Sequence, residues 1–276
     1  MAIDRLFKEV DSLHTSCCGH GHHVVEQINL AVDDIGEALD EMLHEVYRLQ
    51  GTDGSINQKV TKFFVDKLWF AVLKGYGNGI PSVEYDSPDY NMLESLKRNV
   101  WQFSSAKNYQ QLRALSDALI GSDGHLRTFE QFKEVAKSIN DKFVKTYLAA
   151  EYNLAIAGGQ MAGKWVNIQA NAKTLPLIQF DVVLDSQTTE ICRPLDGVIV
   201  PINHPMLNTY YPPNHYGCRT TVKQLASGKI TPDVKMALPE IPKMFRTNLA
   251  KEGLIFPEDH PYFIGIPQDV KNQFRE

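Results

Sequence analysis

Cysteine and histidine are the residues here whose chemistry goes furthest beyond packing, and two of the four cysteines and two of the nine histidines fall within residues 180–222. Cys192 stands in a turn-rich stretch; His215 and Cys218, three residues apart, come after Pro212-Pro213. Thiolate and imidazole are the ligands that zinc takes in a tetrahedral shell. Cys192, His215 and Cys218 therefore make a candidate zinc set, with His204, Asp185 or a water as the fourth ligand. The same residues have a plainer alternative, a hydrogen-bonded knot around buried free thiols. A second concentration, Cys17, Cys18, His20, His22 and His23 with His14 just before, has the composition of zinc- or nickel-binding tracts. It lacks the paired spacing of a folded site, and its interleaved glycines equally describe a solvated connector.

The segment that must position the first set carries its own punctuation. An apolar, β-branched run over 178–184 ends at Asp185-Ser186, a strand entering a turn. Asp196-Gly197 supplies a second turn before the apolar run 198–200, so the two runs pair as a loose hairpin with Cys192 in its connection. Proline fixes φ and cannot continue a helix, so Pro212-Pro213 stiffens the approach to His215.

The order Asp185, Cys192, Leu195-Asp196-Gly197, then Tyr211-Pro212-Pro213-Asn214-His215, then Cys218-Arg219 resembles the signature of phage Mu F-like head morphogenesis proteins, the minor head proteins of tailed phages and prophages. In that family an aspartate precedes a Cys or His that stands three residues before LDG, and PPNH or PPLH is followed after two residues by CR. Weaker likeness extends over 96–107, 129–165 and 256–263. Many relatives carry CxxC before the LDG and CRC after PPxH, whereas Thr189 and Thr220 occupy those positions here. The resemblance implies a non-enzymatic virion component, assembled in the bacterial host cytoplasm and acting with portal and capsid proteins, with weak DNA contact and self-association as further expectations. Some relatives continue into toxin domains, for which this chain leaves little room after the motif.

Catalytic templates find no footing. GxSxG, GxxxxGK[ST] and HExxH are absent, and His215 lacks the glutamate two residues on that a deaminase requires. The alternative from another class is a metal-dependent nuclease or toxin-related module, in which Asp196, His204, Asn214 and His215 would hold a metal and activate water.

The remainder reads as helix. Residues 2–13 form a short helix, and apolar residues stepping by three and four over 24–49 form a long amphipathic one whose stripe is core or a partner face. Asn57 or Ser55 caps a helix that ends at Gly75. Residues 91–102 and 105–119 read as two helices, the second capped by Ser104, and Thr128 with Gln131 opens another that runs on to Trp165 with a kink at Gly158-Gly159. Residues 223–232 read as a connector, and 256–263 as an extended tail packed on the rest. The expected class is mainly α with a small β-containing module, divided as 1–50, 51–173, 174–225 and 226–276. A composition of 43% hydrophobic and 22% charged residues with net charge -5 is that of an ordinary globular chain without a basic block for nucleic acid. No apolar run reaches membrane-spanning length, and the acidic start is unlike a signal peptide.

Overall fold

Each long helix is placed by a stripe of side chains that water would otherwise touch. The computed structural model describes residues 2–15, 35–77 and 83–274. The Cys17, Cys18, His20, His22 and His23 tract and the first part of the 24–49 stripe lie outside the described residues. Helix α1 (Ala2–Thr15) buries Leu6 and Val10 and sets Phe7 against Phe143, ring centroids 5.9 Å apart. Helix α2 (Gly36–Leu49) buries Met42, Leu43 and Val46 and packs on the helices over 58–76, 88–117 and 129–141, where Tyr47 meets Phe129 and Phe132. The described part of that stripe is therefore core rather than a free partner face.

Helix α3 (Gln58–Tyr76) begins where Asn57 Oδ1 accepts the Val60 N–H at 3.0 Å. Helix α4 (Pro88–Asp117) begins where Ser87 Oγ accepts the Tyr90 N–H at 3.2 Å. It is one helix of 30 residues, not the expected two. Ser104, read as the cap of the second helix, and Ser105, read as its first residue, lie buried within it. A serine in a helix interior costs only tenths of a kcal/mol, on the order of the propensity scale, against alanine, and the surrounding burial of Val100, Phe103 and Ala106 outweighs it.

The capping box at Thr128 is formed as expected: Thr128 N–H donates to Gln131 Oε1 at 3.0 Å and Gln131 N–H to Thr128 Oγ1 at 3.4 Å. Helix α5 (Phe129–Asp141) continues through a π-helical turn (Lys142–Tyr147) into α6 (Leu148–Ala170). The irregularity thus falls at 142–147, and α6 runs unbroken through Gly158-Gly159. Those glycines serve close approach instead. A Cβ on Gly159 would lie 2.4 Å from Val72 O, and one on Gly75 would lie 1.9 Å from Ile156 O, so α3 and α6 meet backbone to backbone.

The β module is a three-stranded antiparallel sheet in the order β2-β1-β3. Strand β1 (Leu177–Asp181) pairs with β2 (Ile199–Pro201), Ile178 opposite Val200, which is the expected hairpin. It also pairs with β3 (Thr221–Leu225), Phe180 opposite Val222, so the chain after 221 begins as a strand where a connector was expected. Only Val222 of β3 is buried, too little alternation to announce a strand. Gln224 Nε2 donates to Ile168 O at 3.0 Å and Leu175 O at 2.8 Å, and Lys164 donates to Thr221, tying the sheet to the end of α6. Short helices α7 (Leu207–Tyr210), α8 (Leu249–Glu252) and α9 (Gln268–Lys271) punctuate the loop between β2 and β3 and the C-terminal tail. The tail docks on α4: Asn99 Oδ1 accepts the N–H groups of Ile255 and Phe256 at 2.9 and 2.8 Å, its Nδ2 donates to Phe256 O at 2.8 Å, and Phe103 stacks on Phe256 at 3.7 Å. The class is mainly α with a small β module, and no helix of the described residues is long and apolar enough to cross a membrane.

Buried polar groups sit where these parts converge. Lys107 of α4 and Glu151 of α6 form an ion pair with both side chains fully buried, and the Lys107 ammonium lies 4.6 Å from the Phe64 ring centre. Burial pushes Glu151 up and Lys107 down, each opposed by its partner. Nearby, His260 Nδ1 accepts the Tyr262 N–H at 3.2 Å, which leaves Nε2 to donate to the Tyr216 hydroxyl at 3.0 Å. His14 packs edge-on to Tyr216 at 4.3 Å. Burial, and then the Lys107 charge, lower His14 to about 3; burial, then the charges of His14 and Lys107, hold His260 well below its usual range.

This arrangement sets two expected outcomes. Lys107→Met or Glu151→Leu alone strands the other partner and lowers stability by about 3–5 kcal/mol, whereas the two together cost less than the sum of the singles; urea titration of the wild type, both singles and the double checks the coupling. Both histidines stay neutral in the fold while the unfolded chain takes up protons near pH 6.5, so stability is greatest above about pH 6.5 and falls as the pH drops toward about 3. Urea midpoints measured in chelator from pH 8 to 4.5 should decline, with a shallower decline in His260→Gln. A midpoint flat from pH 7.5 to 5 would contradict the neutral, buried histidines.

Candidate metal centre

Two loops of the β module carry the cluster, and each is built from local bonds. In the connection between β1 and β2, Asp185 Oδ1 accepts the Gln187 N–H at 2.8 Å, an Asx turn that reverses the chain. Thr189 then receives Cys192: the Cys192 N–H lies 3.1 Å from Thr189 O and 3.2 Å from Thr189 Oγ1. A single 3-10 turn (Arg193–Leu195) drives Leu195 into the core, and Asp196 Oδ1 accepts the Val182 N–H at 3.1 Å. Gly197 takes φ +70°, where a side chain would be strained, and donates its N–H to Phe180 O at 3.0 Å, returning the chain to the sheet.

The second loop leaves α7 through the Pro212-Pro213 bond, which is cis. Asn214 is buried and donates Nδ2 to Tyr210 O at 3.1 Å. The Cys218 N–H bonds to His215 O at 3.2 Å, closing a tight turn in which Gly217 takes φ +70°. Arg219 reaches back across the gap to Asp185 with two bonds of 2.7 and 2.6 Å, a bidentate fork that clamps one loop to the other. That fork is the main cause holding the Asp185 carboxyl well below the usual carboxylate range.

Between the loops, the ligand atoms of Cys192, His215 and Cys218 lie within 4.8 Å of one another. Cys192 Sγ is 3.7 Å from Cys218 Sγ and 3.0 Å from His215 Nε2, and Thr189 Oγ1 is 3.2 Å from the same nitrogen. His215 Nδ1 lies 2.6 Å from Tyr216 O. A carbonyl only accepts, so Nδ1 carries a proton, and in the neutral ring Nε2 is the nitrogen whose lone pair faces the sulfurs, the tautomer a metal-binding histidine needs. Hydrogen bonding from Cys192, and then from His215, holds the Cys218 thiol well below its usual range against burial. Burial draws His215 down, but the Cys218 sulfur keeps it raised overall; the same partner, followed by burial, pushes Cys192 up.

The donor set fits zinc. Two thiolates at the usual zinc–sulfur distance of about 2.3 Å stand about 3.8 Å apart in a tetrahedral shell, close to the 3.7 Å here. The two named candidates for the fourth ligand are committed elsewhere: Asp185 to Arg219, and His204 Nε2 to Asp233 Oδ1 at 3.2 Å. Thr189 and Thr220 line the cleft beside the cluster instead, the Thr220 hydroxyl buried. That cleft, bordered also by Val182, Gln187 and Arg219, has a volume of only about 10 Å³.

Sequence reasoning named the three converging residues but missed what supports them. The Tyr216 to His260 bond joins the second loop to the tail, and nothing in the spacing of residues 44 apart announces it. Lys107 and Glu151 did carry a signal: each falls on the three- and four-residue step of its helix's buried stripe, Val100-Phe103-Lys107 and Val144-Tyr147-Glu151.

Comparison with known proteins agrees with the motif. No curated protein and no solved structure matches the chain. Residues 126–223, less than half of the chain, match a family model described as Phage Mu protein F like protein. The match runs from the turn before α5 into β3 and so contains both loops and every residue of the cluster; over this stretch the chain is similar to the Phage Mu F-like family.

Proposed function

We propose that this protein is a non-enzymatic minor component of a phage or prophage head, acting with the portal and capsid proteins during assembly, and that Cys192, His215 and Cys218 hold a zinc ion that staples the two loops together. The observation that carries the reading is the family match over 126–223, which encloses the whole cluster. The fixed histidine tautomer and the sulfur spacing support the metal. With Asp185 and His204 engaged elsewhere, the fourth position would be left to a water on the side where Thr189 and Thr220 line the cleft.

The nuclease alternative has less beneath it. Asp196 is held by the Val182 N–H, Asn214 by Tyr210 and His204 by Asp233, so the residue types for hydrolysis do not converge with His215. A cleft of about 10 Å³ also gives a phosphodiester no seat beside the cluster.

Metal analysis of the purified full chain in which Cys17, Cys18, His20, His22 and His23 are replaced by serine should return one zinc per chain. Cys192→Ser or Cys218→Ser should lose it, and chelation should lower the melting temperature; zinc-free protein with a melting temperature indifferent to chelator would end the metal reading. Mass spectrometry of purified heads from a lysogen encoding this gene should find the protein, and a gene deletion should yield few or defective heads. Heads of normal yield and infectivity without it would overturn the assembly role. Cleavage of plasmid or single-stranded DNA that His215→Ala abolishes in a folded protein would favour the nuclease.

A further inference from the structure

The two sulfurs of the cluster touch. Cys192 and Cys218 come from different loops, 26 residues apart, yet Sγ lies 3.7 Å from Sγ. They are 4% and 7% exposed, so neither sulfur has free access to a second chain. No other cysteine is found among the described residues, and the cleft lined by Gln187, Gly217 and Arg219 reaches Cys192. The surroundings also hold the loops in register without the sulfurs, through the Asp185–Arg219 fork and the hydrogen bonds of Leu195, Asp196 and Gly197.

We propose that Cys192 and Cys218 form a reversible disulfide when the site holds no metal, so that the loop junction has an oxidised as well as a reduced closure. A disulfide needs sulfurs about 2.05 Å apart, and the pair starts from contact at 3.7 Å in loops already docked on each other. With hydrogen peroxide as oxidant, one thiolate attacks a peroxide oxygen, the O–O bond breaks, and water leaves with a sulfenic acid on that cysteine. The other sulfur then attacks the sulfenic sulfur, the S–O bond breaks, and a second water departs. Two thiols have lost two electrons and two protons, and one peroxide has become two waters. His215 Nε2, 3.0 Å from Cys192 Sγ, is placed to receive the thiol proton.

The disulfide does not depend on zinc, because the two loops themselves bring the sulfurs into contact; zinc and the disulfide are alternatives that exclude each other. Should the head-protein reading hold, the pair folds reduced in the host cytoplasm and meets an oxidising medium once the particle is released, the compartment in which disulfides persist.

The experiment uses the metal-free full chain carrying Cys17→Ser and Cys18→Ser, treated with hydrogen peroxide or diamide, then unfolded in iodoacetamide. Intact mass should fall by the mass of two hydrogens with no alkylation, peptide mapping should join Cys192 to Cys218, and dithiothreitol should restore two alkylatable thiols. Preloading with zinc should slow the reaction at least tenfold. Alkylation at both cysteines after oxidation, separate sulfinic acids, or covalent dimers in place of the internal bond would overturn the proposal. A disulfide that forms equally fast with zinc present would support it and count instead against the metal.

Discussion

A buried ion pair is tolerated only when each charge has its partner held in place, and that constraint organises this molecule. Lys107 and Glu151 are both fully buried, so α4 and α6 have one productive register: sliding either helix by a residue would leave an ammonium or a carboxylate alone in a low-dielectric interior. Phe64 from α3 faces the ammonium, and Tyr262 from the tail stands beside the carboxylate. Apolar contacts supply most of the stabilisation, but they are tolerant of small shifts. The ion pair is not, and it converts a helical pack into a defined arrangement of α3, α4, α6 and the tail.

The cluster of the β module is fastened to that arrangement by a short chain of bonds. His215 fixes its tautomer on Tyr216 O, and the Tyr216 hydroxyl accepts from His260. The tail around His260 is in turn held on α4 by Asn99 and by Gln110, whose Nε2 donates to Tyr262 O at 2.9 Å and Ile264 O at 3.1 Å. A loop that in isolation would sample many conformers therefore sits on a rigid base. The match to the Mu F-like family stops at 223, yet the cluster's own foundation includes residues beyond it, so the tail is a structural part of the site.

Legible in the sequence were the features with a local cause. The capping box at Thr128, the cap at Asn57, the turn at Asp196-Gly197 and the hairpin each depend on a few neighbouring residues, and each formed. The convergence of Cys192 with His215 and Cys218 was legible because the proline pair and the hairpin leave those loops little freedom. The features that escaped depend on distant partners. Ser104 reads as a cap until the burial around it is known, and Gly158-Gly159 reads as a kink until Val72 and Ile255 are seen to need the space. Strand β3 exists because β1 offers a free edge, not because its own residues alternate.

The threonines at 189 and 220 acquire a physical sense in this setting. A zinc held as proposed by two thiolates and a neutral imidazole would carry no net charge, whereas a third or fourth thiolate would leave the centre anionic and buried. The cation available to balance such a charge is Arg219, and its fork is already committed to Asp185. A hydroxyl occupies nearly the same space as a thiol, adds no charge, and can hydrogen-bond: Thr189 Oγ1 accepts the Cys192 N–H and approaches His215 Nε2. Threonine at both positions thus keeps the shape of a cysteine-lined cluster while its electrostatics require no further cation, and it leaves Cys192 and Cys218 with each other as the sulfurs within reach.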